Sequence, residues 1–187
     1  MRKIKCILIS AVALCSFTSY HPQVGSPIDE FNGISVIYNG NTTNVFGRNI
    51  AEDGYNLGLK YQCVEFVKRY YYEFYNHKMK ESYGHAKDFF NKGLADKQYN
   101  ADRGLLQFRN TRSFKPMVGD IIVFDSSQKN PFGHMGIVSE VSKDDIEIIQ
   151  QNWGLKSRQR IKLIEYEGIF TVAEFDVLGW LRMTDDM

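Results

Sequence analysis

Several features that would classify a chain at once are scarce in this sequence. Four prolines in 187 residues exclude a proline-rich linker, and no segment repeats or drops to low complexity, which excludes a solenoid or a disordered tail. Neither sign of charge dominates: 23 Lys and Arg stand against 22 Asp and Glu. Such a surface offers no broad field for nucleic acid phosphates or acidic membranes, so neither is an expected partner. Cysteines number three, and no Cys/His spacing suits zinc, so no metal or other cofactor is expected. The one extended apolar segment, residues 6–15, is about half the roughly 20 residues of a membrane span.

That segment follows Arg2, Lys3 and Lys5 and precedes the polar SFTSYHP, the layout of a secretory signal peptide. Residues 1–19 are expected to be removed and the protein exported, periplasmic or secreted. Leu14 before Cys15 fits lipid attachment poorly, because a small residue is expected there. Cleavage leaves 20 basic against 22 acidic residues and a single cysteine, Cys63. An unpaired thiol in an oxidising compartment needs a reason. It is either a small buried hydrophobe or a reactive group.

Residues 20–57 are rich in turn dipeptides and read as an irregular lead-in, with one strand-like run at Ile34–Tyr38. From Gln62 to Asn76 apolar residues recur at spacings of three and four, which predicts a largely buried helix. A polar stretch with His77 and His85 follows, then a second helical segment at 86–97. Beyond Pro116 the pattern becomes that of short strands, at 119–125, 134–142, 146–152, 159–166 and 177–183. Helices first and strands second predict an α+β domain over 58–187, the helix laid on an antiparallel sheet.

Cys63 stands in the first turn of the predicted helix, where free N–H groups and the helix dipole favour a thiolate. A thiol that cleaves amides needs a base which later protonates the leaving amine, a role suited to histidine. His134 opens a strand after the loop Asn130-Pro131-Phe132-Gly133, a rigid mount for such a group. The imidazole needs an orienting partner. If Lys143, Asp144 and Asp145 form a three-residue hairpin loop, His134, Gln150 and Asn152 share one face; a two-residue loop substitutes Gln151. The oxyanion of an attacked carbonyl has the Cys63 backbone N–H and, as a second donor, the Gln62 side chain.

Together the segments YQCVEFVKRYY, MVGDIIVF, FGHMGIVSEV and IIQQNWG resemble the CHAP family, the cysteine, histidine-dependent amidohydrolases and peptidases, and within it the amidase domain of glutathionylspermidine synthetase/amidase. The resemblance implies a papain-like fold, Cys63 as nucleophile and His134 as general base. The glutamate of that amidase falls on Gln150, and an asparagine of related cell-wall lysins falls on Asn152. Two positions depart from the pattern. Gln150 is neutral where the amidase has a carboxylate, and Lys68 replaces an arginine that handles a substrate carboxylate. The expected substrate is a cell-wall peptide, since an exported enzyme meets peptidoglycan first, and the chain is expected to act as a monomer. A glutathionylspermidine-type amidase and an exported binding module without turnover are the alternatives.

Overall fold

The computed structural model describes residues 21–184; the segment expected to be a signal peptide lies outside them. The chain opens with the hairpin β1 (Pro27–Phe31) and β2 (Ile34–Ile37), then a second small pair, β3 (Arg48–Ile50) and β4 (Asn56–Leu59). Helix α1 (Cys63–Tyr75) follows, and a 3-10 turn at Ala86–Phe89. The remaining strands are β5 (Gln98–Asn100), β6 (Leu105–Arg109), β7 (Ile121–Phe124), β8 (His134–Val141), β9 (Asp145–Ile149), β10 (Arg158–Tyr166), β11 (Ile169–Val172) and β12 (Val177–Arg182). They form one eight-stranded sheet in the order β11-β10-β9-β8-β7-β12-β6-β5, and every pairing is antiparallel. Among the described residues the domain is α+β, mostly sheet with one α-helix.

Both faces of the sheet carry apolar side chains, which the alternation along β7 makes visible. Ile121 and Val123 pack toward α1 with Phe66, Val67, Tyr70, Tyr71 and Leu181. Ile122 joins the opposite cluster with Phe108, Ile146, Ile148, Ile161 and Trp180. Tyr70 and Tyr71 are almost completely buried and Tyr71 donates its hydroxyl to the Gly119 carbonyl at 2.8 Å, so these tyrosines serve the core. Asn76 ends the helix in the left-handed region with φ 51°, a usual role for asparagine.

Two sequence expectations are corrected. The lead-in is not irregular: it holds four strands, and the β1–β2 hairpin puts Ile34 and Val36 into the α1 core. Its strands are three to five residues long, too short for an alternating pattern to stand out among NG and DG turns. The expected helix at 86–97 stops after the 3-10 turn, and Phe90 is already extended. The buried Gln107 side chain takes over there, accepting from the Asn91 N–H and donating to the Asn91 carbonyl at 2.8 Å each. A backbone satisfied by a side chain from β6 needs no helical neighbours.

Candidate active site

Cys63 is the first residue of α1, entered from an extended Gln62 with φ −83° and ψ 163°. Its thiol lies beside the backbone N–H groups of Cys63 and Val64, at the open end of the helix, and of Met135 on β8. All three favour the thiolate. Burial outweighs them: the side chain sits in the α1 core, and desolvation pushes the thiol up to about 11 from its ordinary 9. The sequence expectation of a lowered pKa is therefore reversed in the resting protein. A helix start favours charge only as far as water is displaced by dipoles, and here apolar neighbours displace more of it.

His134 begins β8, one residue before the Met135 N–H that faces the sulfur. Gly133 makes that entry possible. Its φ is +72°, and a Cβ there would lie 2.5 Å from the Phe124 carbonyl oxygen, so no other residue turns the chain so tightly onto β7. The His134 ring is almost buried, packed 4.9 Å from the Trp153 ring and 6.0 Å from that of Phe124. Its Nε2 lies 2.9 Å from Gln150 Oε1. A carbonyl oxygen only accepts, so Nε2 carries the proton and Nδ1 keeps its lone pair, as a general base requires. Burial lowers the imidazole to about 4 from 6.5, while the Gln150 contact opposes that shift. The resting pair is thus neutral thiol and neutral imidazole. No hydrogen bond joins Cys63 to the His134 ring among the described residues; a resting enzyme often holds this contact loosely and tightens it on substrate binding.

The turn is the two-residue one, with the Ser142 N–H donating to the Asp145 carbonyl at 2.8 Å, yet Gln150 and not Gln151 reaches His134, the side the three-residue loop predicts. At the turn Val141 pairs with Ile146 and Glu140 with Glu147, but Val138 pairs with Ile148 and Ile137 with Ile149. Ser139 is the extra residue, a β-bulge. Without it Gly136 would oppose Gln151; with it, the ladder extrapolates to Gly136 opposite Gln150. The bulge moves the phase by one and turns Gln150 onto the His134 side.

Asn152 is not brought to His134. At φ 65° it turns away, donating to Gln62 Oε1 at 2.6 Å and to the Thr42 carbonyl at 3.0 Å, and accepting from Asn39 at 2.7 Å. It holds Gln62 instead. Gln62 Nε2 donates to the Asn44 carbonyl at 2.7 Å, so one of its two amide hydrogens is engaged and the other has no partner among the described residues. Lys68 does not reach a substrate either: its buried ammonium donates to the carbonyls of Asn56 and Ser82 and lies over the Tyr55 ring. Desolvation and the nearby Arg103 and Arg48 lower it to about 8.

The sequence offered Gln151 only as an alternative partner of His134 and did not single out Glu65. Gln151 is fully buried and links three elements, accepting from the Ile37 N–H at 2.7 Å and donating to the Gln62 carbonyl at 3.0 Å and Glu65 Oε2 at 2.8 Å. Glu65, 1% exposed, also accepts from Arg69 at 2.7 Å and Asn49 at 2.8 Å. A glutamate two residues after Cys63, on a helix expected to be largely buried, was the available signal. Beside His134 opens a cavity of about 160 Å³. Trp153 and Phe175 line it together with Asp125, Glu174 and Asp176. None of the three carboxylates was anticipated, because they come from loops after β7 and β11.

Comparison with known proteins finds relatives of this chain. Trypanothione synthetase of Crithidia fasciculata is 29% identical over 147 residues, which cover 72% of this chain and 22% of that enzyme. The bifunctional glutathionylspermidine synthetase/amidase of Escherichia coli (strain K12) is 26% identical over 152 residues, covering 74% of this chain and 24% of its own. The chain thus spans less than a quarter of the length of these curated relatives. The solved structure of Ly7917 aligns with 51% of this chain and 41% of its own, at 19% identity and a TM-score of 0.31. The CHAP domain family model matches residues 53–152, and on that match, over more than half its length, the chain belongs to the CHAP domain family.

Proposed function

We propose that this protein is an exported cysteine amidohydrolase of papain-like architecture that cleaves an amide bond through a Cys63 thioester. The observation that carries the reading is the Nε2–H contact to Gln150, which leaves His134 Nδ1 as the only unprotonated ring nitrogen. A neutral imidazole with a pKa near 4 is ready to accept a proton throughout the neutral range. Because the thiol is held near 11, proton removal by Nδ1 accompanies attack of Sγ on the carbonyl carbon rather than preceding it.

The oxyanion that forms is stabilised by the Cys63 N–H and the free hydrogen of Gln62 Nε2, each such donor contributing about 3 kcal/mol to the transition state. Nδ1–H then protonates the amine nitrogen, the C–N bond breaks, and the amine leaves. Water loses its proton to the same Nδ1 and attacks the thioester carbon. The C–S bond breaks, the acid departs, and the proton returns to sulfur. Every step uses one base and one acid, both His134.

The substrate in this reading is a peptidoglycan stem peptide or cross-bridge, which an exported enzyme meets first. A polyamine amide such as glutathionylspermidine is the second reading. It is favoured by the carboxylates of the cavity beside His134, where a cationic leaving amine fits, and by the amidase named among the relatives. Incubation with purified peptidoglycan and with glutathionylspermidine, followed by mass spectrometry of products, tests both. New peptide amines from peptidoglycan support the first substrate; release of spermidine alone replaces it with the second. If neither is cut and Cys63→Ala binds peptidoglycan as the wild type does, the protein is a binding module.

A further inference from the structure

Gln150 does not end at His134. Its Nε2 donates to Gln159 Oε1 at 3.5 Å, and Gln159 Nε2 donates to Glu174 Oε2 at 3.1 Å. Glu174 Oε1 in turn accepts from the Phe175 N–H at 3.2 Å, which fixes the carboxylate. The chain His134–Gln150–Gln159–Glu174 crosses from β8 to β10 and the loop after β11, and all four line the same cavity.

Its direction is chemically determined. An amide side chain presents an acceptor at one end and a donor at the other, so two glutamines in series can run either way. An ionised carboxylate can only accept. It therefore obliges Gln159 to turn its NH2 outward and its oxygen to Gln150. Gln150 must then turn its NH2 to Gln159 and its oxygen to His134. The imidazole is left with one choice, Nε2–H, and its lone pair falls on Nδ1. From these contacts we infer that Gln159 and Glu174 are positioning residues which set the His134 tautomer by relaying the donor–acceptor polarity of the Glu174 carboxylate through Gln150. The inference deepens the proposed thiol–imidazole mechanism and rests on it for its catalytic consequence. It also explains how a neutral residue at position 150 holds a base that must be oriented: the carboxylate stands two amides away, at the surface, where its charge costs little to keep.

The test is nitrogen-15 NMR of the full-length protein with labelled histidine, which reads the proton position on His134 directly, paired with iodoacetamide alkylation of Cys63 at pH 8. The wild type is expected to hold His134 as Nε2–H. Glu174→Gln, which can donate or accept, and Gln159→Leu, which breaks the chain, should populate Nδ1–H and slow alkylation about fivefold, the value of one ordinary hydrogen bond. Glu174→Lys, donor only, should lower the Nε2–H fraction furthest. Gln150→Glu supplies an acceptor beside the ring, so adding it to Glu174→Gln should restore both the tautomer and the rate. An unchanged tautomer in Glu174→Gln and Glu174→Lys, or no rescue by Gln150→Glu, overturns the inference. The mechanism itself has a separate control: if His134→Ala alkylates as fast as the wild type, the thiol–imidazole reading is lost, while the tautomer signal still decides the relay.

Discussion

Gln150 and Gln151 are neighbours in the sequence and serve opposite halves of the site. Gln151 points to the start of α1, where a carboxylate, Glu65, is fully enclosed and paired with Arg69. Gln150 points to His134, where no carboxylate touches the ring and the imidazole drops to about 4. One half keeps its charge inside and spends it on structure, fixing the helix end that presents Cys63. The other keeps its charge outside and leaves the reacting pair neutral. The difference teaches that an acidic residue close to a nucleophile is not thereby part of the chemistry; its partners decide.

The sharpest way to separate the halves is to delete the sulfur. Cys63→Ala should reduce amide hydrolysis by about 10³-fold or more, measured by product formation, with a urea midpoint close to the wild type. The structural half should respond in the reverse way. Glu65→Leu leaves Arg69 charged and unpaired, 12% exposed, and should cost about 3 kcal/mol in urea unfolding. A loss below about 1 kcal/mol would assign that carboxylate a lesser role than its three contacts indicate.

The neutral half makes a pH prediction. Folding holds His134 near 4 against an ordinary 6.5, so the unfolded chain binds the extra proton between those values. Stability should be full above about pH 6.5 and fall by about 3 kcal/mol as the pH drops to 4. His134→Phe should flatten that slope in urea midpoints taken across the range. Gln150→Glu then sharpens the comparison by moving charge inside. A carboxylate beside the ring should raise the imidazole pKa by about one unit, to about 5, so kcat/KM of the variant should fall about twofold between pH 8 and pH 5 while the wild type changes little. A variant that tracks the wild type across that range would mean the carboxylate at 150 is itself kept neutral.

Much of this was readable before the structure. The helix at Cys63 announced itself by its spacing, and β7, β8, β9, β10 and β12 by β-branched or aromatic runs bounded by turn residues. Strands β5 (QYN) and β6 (LLQFR) contain no β-branched residue to mark them, and β11 was not distinguished from the turn after Tyr166. Cys63 and His134 could be picked out because each type is rare and each sits at an element boundary. Gln159 and Glu174 could not, since glutamine and glutamate on an exposed strand and loop look like solvated surface; only the sheet order brings them into line with Gln150. The thiol pKa was misjudged for a similar reason. The helix start is local and visible, whereas the apolar residues that outweigh it arrive from distant strands.

The bulge at Ser139 has a consequence for how this hairpin tolerates change. A hairpin is a counting device: each residue added to its turn exchanges the two sides of every position beyond. Here the two-residue turn by itself would set Gln151 beside the base, and the extra residue between Val138 and Glu140 reverses that. A turn one residue longer joined to a straight strand would deliver the same glutamine to the same imidazole, whereas either alteration alone would hand Gln150 to the helix and Gln151 to the base.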